Sequence, residues 1–290
     1  MIVLCAPDKF RGACGAPEAA EALADGVRAA GHEAVVQPLA DGGEGTAELL
    51  GPGVVESARA PGDTWALGTG WLAEPMRSAH TLAIGGTAST DGGMGLLSEL
   101  GYVFLDGKGR RLEPVGRSLP KLTGIRQERQ DGLRGVALYD VRATLLQCLH
   151  YAPQKGATAA QCERARPGLE VLAAHFGDGP GFGAGGGLGL AAQVAGLELR
   201  PGAATVLDHL DLDLDRFDRI FTGEGSLDAG TLQGKLVAEL ARRAPGRVVA
   251  FVGRARVELP GAEVISLSGG PARTLHSLRA AAAHRLRRTG

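Results

Sequence analysis

Short apolar runs alternate with amphipathic stretches along this chain, in the order expected of β-α-β units. Residues 2–6 (IVLCA) form an apolar run of strand length, stopped by Pro7. Pro17 sits where the first turn of a helix tolerates proline, and Ala20, Leu23, Ala24 and Val27 then share one face until Gly31. Residues 34–38 read as a second strand, so the chain opens as a parallel-sheet protein rather than a hairpin protein. Further strands are expected at 81–84, 136–140, 248–253 and 263–269, with short candidates at 54–57 and 64–67. YVFL at 102–105, followed by the DGKG turn at 106–109, predicts a short antiparallel element, and 110–134 reads as loop-rich surface. Helices are expected over about 159–176 and 275–287, and a glycine-rich loop within 177–196 should run into a helix of small residues.

The most informative stretch is 217–240, FDRIFTGEGSLDAGTLQGKLVAEL. The apolar pair Ile220-Phe221 should end in a Gly-Glu-Gly turn, and Leu232, Leu236, Val237 and Leu240 recur at helical spacing. A strand, a polar loop and a helix are therefore expected, with Glu224, Asp228, Thr231 and Lys235 near the junction. Loops at the carboxyl ends of strands in open α/β sheets are where ligands usually bind.

Composition narrows the function classes. With 290 residues the chain suits one large α/β domain or two modest ones, and 44% apolar residues exclude a largely disordered protein. Forty-six glycines are far above ordinary usage and imply many tight turns or close backbone approaches. The formal net charge of -1 gives no general support for nucleic-acid or membrane binding. Cys5, Cys14, Cys148 and Cys162 show neither CxxC spacing nor a zinc-type cluster and read as free thiols in a reducing compartment. The start lacks a secretory signal and no long apolar run spans a membrane, so the expected location is the cytoplasm. Asparagine is absent, so a site that elsewhere uses an amide must here use another group.

Candidate chemistry gathers at strand ends. Asp8, Asp41, Glu44, Asp91, Asp140, Glu224 and Asp228 lie at or just past expected strands, mostly beside glycine; Lys9, Arg11, Lys155 and Lys235 occupy comparable positions. Carboxylates so placed can hold Mg²⁺, and cations with exposed N–H groups can hold phosphates, although Asp beside Gly is also ordinary turn chemistry. GTLQGKL at 230–236 has the wrong glycine spacing for a Walker A loop and Leu236 in place of its hydroxyl. GxGxxG at Gly181, Gly183 and Gly186 follows GDGP rather than a strand, which argues against a dinucleotide fingerprint. Gly185 to Gly189 fit an anion-contacting loop or close helix-on-sheet packing equally well. No histidine has a patterned partner, and Ser226 in GEGSLD is not a nucleophile elbow.

Taken in order, APDKFRG (6–12), LADGGEGT (39–46), IGGTASTDGGMG (84–95), APQKGAT (152–158), GAGGGLGLA (183–191) and FTGEGSLDAGTLQGK (221–235) resemble the bacterial type-1 glycerate kinase family, over nearly the whole chain. The resemblance implies a Rossmann-like parallel-sheet domain (1–50 and 205–290) with a second mixed α/β domain inserted (51–204) and the active site between them. It implies ATP-dependent, Mg²⁺-dependent phosphorylation of D-glycerate to 2-phosphoglycerate. Its alternatives are a kinase for another small hydroxy acid or a non-catalytic sugar-acid or nucleotide sensor.

Under that resemblance, Asp228 or Asp91 would orient and deprotonate the attacking hydroxyl, with Lys155 and Arg11 as catalytic cations. Asp41, Glu44 and Glu224 would hold the metal directly or through water. Asp8, Lys9, Thr87 and Asp140 would contact substrate or nucleotide, as would Thr231 and Lys235, while Gly185, Gly186 and Gly187 would line the nucleotide. Small-molecule substrates are the expected partners, and monomer and homodimer are both left open. The chain departs from the family pattern where Lys9 replaces a serine, Arg11 a lysine and Ser226 an arginine. Asp140-Val141-Arg142 truncates a DVDN run, and the block between 50 and 80 is short.

Overall fold

Residues 1–60, 62–129 and 131–287 are described by a computed structural model. In chain order they form β1 (Ile2–Cys5), α1 (Ala16–Ala29), β2 (Glu33–Val36), α2 (Thr46–Leu50), β3 (Val54–Glu56), α3 (Ala73–Met76) and β4 (Thr81–Ala83). There follow α4 (Met94–Glu99), β5 (Tyr102–Leu105), β6 (Gly124–Gln127), β7 (Val136–Tyr139), α5 (Cys148–Tyr151), α6 (Ala159–Phe176), α7 (Ala184–Val194) and β8 (Glu198–Pro201). The chain ends with α8 (Gly202–Leu210), β9 (Arg219–Leu227), α9 (Leu236–Arg243), β10 (Val248–Ala255), β11 (Ala262–Ser266) and α10 (Thr274–Arg287). The architecture is mixed α/β, and it divides into two compact units, Met1–Asp41 with Val206–Gly290, and Gly42–Thr205.

The first unit is a five-stranded parallel sheet in the order β11-β10-β9-β1-β2. Its strands are apolar on both sides because both faces are covered. Val249 and Phe251 join Val3, Cys5, Phe221, Leu23 and Leu278 in the core that α1 and α10 cover. The alternate residues Ala250 and Val252 pack with Val237 and Ala241 of α9 on the opposite face. From β1 the chain moves outward to β2, whereas from β9 it moves the other way through β10 to β11. The direction therefore reverses between β1 and β9, the kind of position at which open α/β sheets bind ligands.

The second unit carries a four-stranded parallel sheet, β3-β4-β7-β8, and a separate antiparallel pair, β5-β6. Its core collects Leu82, Ile84, Met94, Leu97, Phe104, Leu119, Leu169 and Leu188. Trp65 is part of that core.

Several expectations are corrected. Gly223-Glu224-Gly225 is not a turn: β9 runs through it, in register with β10 as far as Leu227 opposite Ala255. Glycine is required there by packing, because a Cβ on Gly223 would lie 2.3 Å from the Phe251 carbonyl oxygen and 2.7 Å from the Phe10 ring. Residues 64–66 form a turn rather than a strand. The ladder partner of β5 is β6, inside the stretch expected to be loop, and the DGKG turn yields only a single bridge between Leu105 and Arg111. Residues 231–233 form a 3-10 turn that leaves Leu232 48% exposed, and the helix begins only at Leu236. β8 and α8 were not anticipated, since ELRP carries no apolar run and β8 is held by pairing with β7. Among the described residues, no helix is long and apolar enough to cross a membrane.

Candidate functional site

Asp8 and Asp41 lie in the loops just past β1 and β2, and Glu224 lies within β9 beyond its ladder with β1; the three strands are neighbours around the reversal in the first unit. The strand ladders continue into the loops. The Ala6 N–H donates to the Phe221 carbonyl at 2.7 Å, the Asp8 N–H to the Gly223 carbonyl at 3.1 Å, and the Leu39 N–H to the Pro7 carbonyl at 3.1 Å. These bonds fix where the three acidic residues project. Asp41 is buried and Glu224 is 7% exposed.

Burial pushes the Asp8 carboxyl up to about 8; the negative charges of Asp41 and Glu224 add to the rise, and Lys9 opposes it. Glu224 is pushed up to about 7, mainly by burial, against the pull of Lys235 and a hydrogen bond from Thr231, while Asp41 and Asp228 raise it further. The Thr231 Oγ1 donates to Glu224 Oε1 at 2.6 Å, and Lys235 Nζ lies 3.6 Å from Glu224 Oε2. Asp228 follows at the end of β9, where its Oδ1 accepts the Gly230 N–H at 2.9 Å and its carbonyl accepts the Thr231 N–H at 2.9 Å. Glu224 in β9 is thus joined to Thr231 and Lys235 beyond the strand, with Asp228 just past the strand end.

This cluster makes folding pH-dependent. A carboxyl raised in the folded state binds a proton more tightly there than in the unfolded chain, so its contribution to stability falls as pH rises from the ordinary carboxylate range through the folded value. For Asp8 that window extends from about 4 up to about 8. Asp8→Asn is expected to raise Tm at pH 8 in chelator by a few degrees, about 1 kcal/mol in units of this size, with little gain at pH 4.5. Differential scanning calorimetry at the two pH values measures it; equal shifts at both would refute the repulsion.

Lys9 is half-buried and Arg11 exposed on the loop after β1. Arg254 was not singled out from the sequence. It lies opposite Ser226 in the β9-β10 register, which sets an arginine beside the position where the family pattern has one. Only strand register reveals that neighbourhood.

As a metal site, the acidic cluster offers oxygen donors alone, the donor chemistry of Mg²⁺. Beyond the larger effect of burial, the Asp41 charge raises both Asp8 and Glu224, a repulsion that a cation would relieve. Among the described residues no three His, Cys, Asp or Glu side chains close into a ligand set, so Asp41, Glu44 and Glu224 do not meet as a trio. Glu44 is exposed and belongs to the other unit. Mg²⁺ characteristically takes one or two carboxylates and completes its shell with water and substrate phosphates, and the cluster fits that mode.

In the second unit, the loop after β4 collects Thr87, Ser89, Thr90 and Asp91. Asp91 is 0% exposed. Its Oδ2 accepts from the Thr69 N–H (2.8 Å), the Thr69 Oγ1 (2.8 Å) and the Gly95 N–H (3.1 Å), while Oδ1 accepts the Gly93 N–H at 2.9 Å. Burial raises this carboxyl and those four bonds oppose the rise. All of its acceptor capacity is directed at the protein, so Asp91 holds the loop and the start of α4 rather than presenting a base.

Thr87 Oγ1 donates to the Ile84 carbonyl at 2.6 Å, and Thr90 Oγ1 lies 2.9 Å from Thr64 Oγ1. Lys155 Nζ donates to the Ser89 carbonyl at 2.8 Å. Asp140 is half-buried at the carboxyl end of β7, against Gly85. Gly185, Gly186 and Gly187 adopt left-handed φ of 61°, 70° and 101°. A Cβ on Gly186 would come within 2.2 Å of the Ser89 carbonyl oxygen, and one on Gly187 within 2.4 Å of Gly92 Cα. Close packing against the β4 loop accounts for these glycines.

Comparison with known proteins adds an independent observation. A family model described as the glycerate kinase family matches residues 3–55 and 47–287. The chain is 30% identical to glycerate kinase of Bacillus subtilis (strain 168), over 87% of its own length and 84% of that protein. It is 29% identical to glycerate 2-kinase of Escherichia coli K12, over 87% and 85%. The crystal structure of a provisionally named glycerate kinase 2 from Salmonella typhimurium LT2 superposes with a TM-score of 0.68 at 26% identity, covering 100% of this chain and 98% of that one.

Proposed function

Because the chain belongs to the glycerate kinase family, we propose that it transfers the γ-phosphoryl group of ATP to D-glycerate and releases 2-phosphoglycerate, as a compact member of the bacterial type. The observation that supports this reading is the gathering of Asp8 and Asp41, in the loops past β1 and β2, with Glu224, in β9 beyond its ladder with β1, around the β1-β9 reversal. Phosphoryl transfer asks a protein for positioning and charge rather than for covalent chemistry of its own. When bound there, Mg²⁺ supplies charge neutralisation on the phosphate oxygens.

One or two of Asp8, Asp41 and Glu224 would hold that ion, with water and phosphate oxygens completing its shell, and Thr231 fixes the Glu224 carboxylate through its 2.6 Å hydrogen bond. Asp228 orients the attacking hydroxyl and accepts its proton. Lys235 and Arg254 pair with phosphate oxygens near the β9 end. Lys9, Arg11 and Lys155 balance the charge brought by the acid and the nucleotide. In this reading the Rossmann-like domain, expected over 1–50 and 205–290, corresponds to the unit Met1–Asp41 with Val206–Gly290, the inserted domain, expected over 51–204, corresponds to Gly42–Thr205, and the protein acts in the cytoplasm on small molecules.

A coupled assay of ADP release with D-glycerate and MgATP tests the proposal, followed by separation of 2- and 3-phosphoglycerate. Glycerate-dependent ADP release with 2-phosphoglycerate as product is expected. No glycerate-dependent release would refute it. Ser226, half-buried where the family pattern carries an arginine, favours one second reading, a kinase for another small hydroxy acid. A panel of such acids under the same assay separates the two.

A further inference from the structure

Three hydroxyl side chains lie within the buried loop that follows β4, and they are not equivalent. Thr87 Oγ1 is committed to the Ile84 carbonyl and to Ser57 Oγ at 2.6 Å. Thr90 Oγ1 is committed to Thr64 Oγ1. The Ser89 Oγ has no hydrogen-bond partner among the described residues, although Ser89 is only 3% exposed. Burying a hydroxyl without a partner is unfavourable, so such a group in a folded protein points to a missing acceptor or donor.

A cation stands at the same residue. Lys155 Nζ donates to the Ser89 carbonyl at 2.8 Å, which sets an ammonium group beside this residue. The backbone here is also held in place. Gly186, at φ 70°, packs so closely that a Cβ would be 2.2 Å from the Ser89 carbonyl oxygen. The loop lies beyond the carboxyl end of β4 in a parallel sheet, the edge at which open α/β sheets take ligands. A neutral O–H donor and an ammonium on a fixed backbone are complementary to an oxyanion and not to a cation.

We propose that Ser89 Oγ and Lys155 Nζ form a subsite for one oxyanion group of a substrate, a carboxylate or a phosphoryl group. The identity of the substrates rests on the kinase reading above; the binding chemistry does not. The Ser89 hydroxyl donates to the bound oxyanion and Lys155 supplies its counter-charge. In a chain without asparagine, this serine provides a neutral donor on the same loop.

Ser89→Ala provides the test. It removes a hydroxyl that bonds to nothing among the described residues, so Tm is expected to stay level or rise, whereas a structural role would lower it. In steady-state assays the KM for D-glycerate is expected to rise about 10-fold or more, the loss of one hydrogen bond to a charged group, if the subsite takes the carboxylate. If it takes a phosphoryl group, the KM for MgATP rises instead. Lys155→Met is expected to raise the same constant as Ser89→Ala. Unchanged KM values for both substrates, or a lowered Tm in Ser89→Ala, overturn the proposal.

Should the wild-type protein not turn over D-glycerate, calorimetric titration with D-glycerate, MgATP and inorganic phosphate separates the two readings. Binding of any of these by the wild type that Ser89→Ala weakens about 10-fold supports the subsite without the kinase activity. Equal binding by both proteins, or binding of none of the three, overturns it.

Discussion

Asp91→Ala is expected to lower the unfolding free energy by about 4 kcal/mol, which corresponds to roughly 8–16 °C in Tm for a unit of this size. The carboxylate is fully buried and accepts four hydrogen bonds, from Thr69 N–H, Thr69 Oγ1, Gly93 N–H and Gly95 N–H. Truncation strands those donors in a place that water does not reach, and each stranded group costs about 1–3 kcal/mol. Thr69 then loses its hold on the loop before α3, although its hydroxyl still accepts the Leu96 N–H. Asp91→Asn is expected to be only a partial rescue, because its amide nitrogen would face donors on one side. Urea unfolding midpoints for the three proteins measure the effect. A midpoint for Asp91→Ala equal to wild type would show that Asp91 does not organise the loop.

Asp228→Asn is expected to lower kcat by about 10²–10⁴-fold while leaving the fold intact, the range for loss of a positioned general base. The fold should survive because the side chain closes a local turn through Oδ1, which accepts the Gly230 N–H at 2.9 Å, and asparagine offers the same oxygen. What asparagine cannot do is accept a proton. The KM for MgATP should change little, since Glu224, Lys235 and their bond network are untouched. Initial rates of ADP release, with calorimetry to confirm an unchanged Tm, decide the matter; wild-type kcat in a folded Asp228→Asn protein would remove Asp228 as the base.

Two glycine-rich segments show how differently local pattern and packing constrain a chain. Gly223-Glu224-Gly225 carries the composition of a turn, yet it is strand, because Gly223 must pass against the Phe251 carbonyl and the Phe10 ring. Gly185-Gly186-Gly187 was equally compatible with an anion loop or with packing, and its left-handed residues lie against Ser89 and Gly92. Composition is the same in kind; the neighbour that demands a missing Cβ comes from a distant segment in both cases.

The apolar runs that became β1, β4, β7, β10 and β11, the amphipathic face of α1 and the long helix α6 were legible in the chain itself, because each depends on residues a few positions apart. So were Asp8, Asp140 and Asp228 just past strand ends, whereas Glu224 lies within β9 and Lys155 in a 3-10 turn far past β7. Strand order, the reversal between β1 and β9, the β6 and β8 pairings, the Arg254-Ser226 register and the four bonds that commit Asp91 to the protein were decided by tertiary structure. Each of these joins segments far apart in sequence, through backbone pairing or burial that no local period encodes.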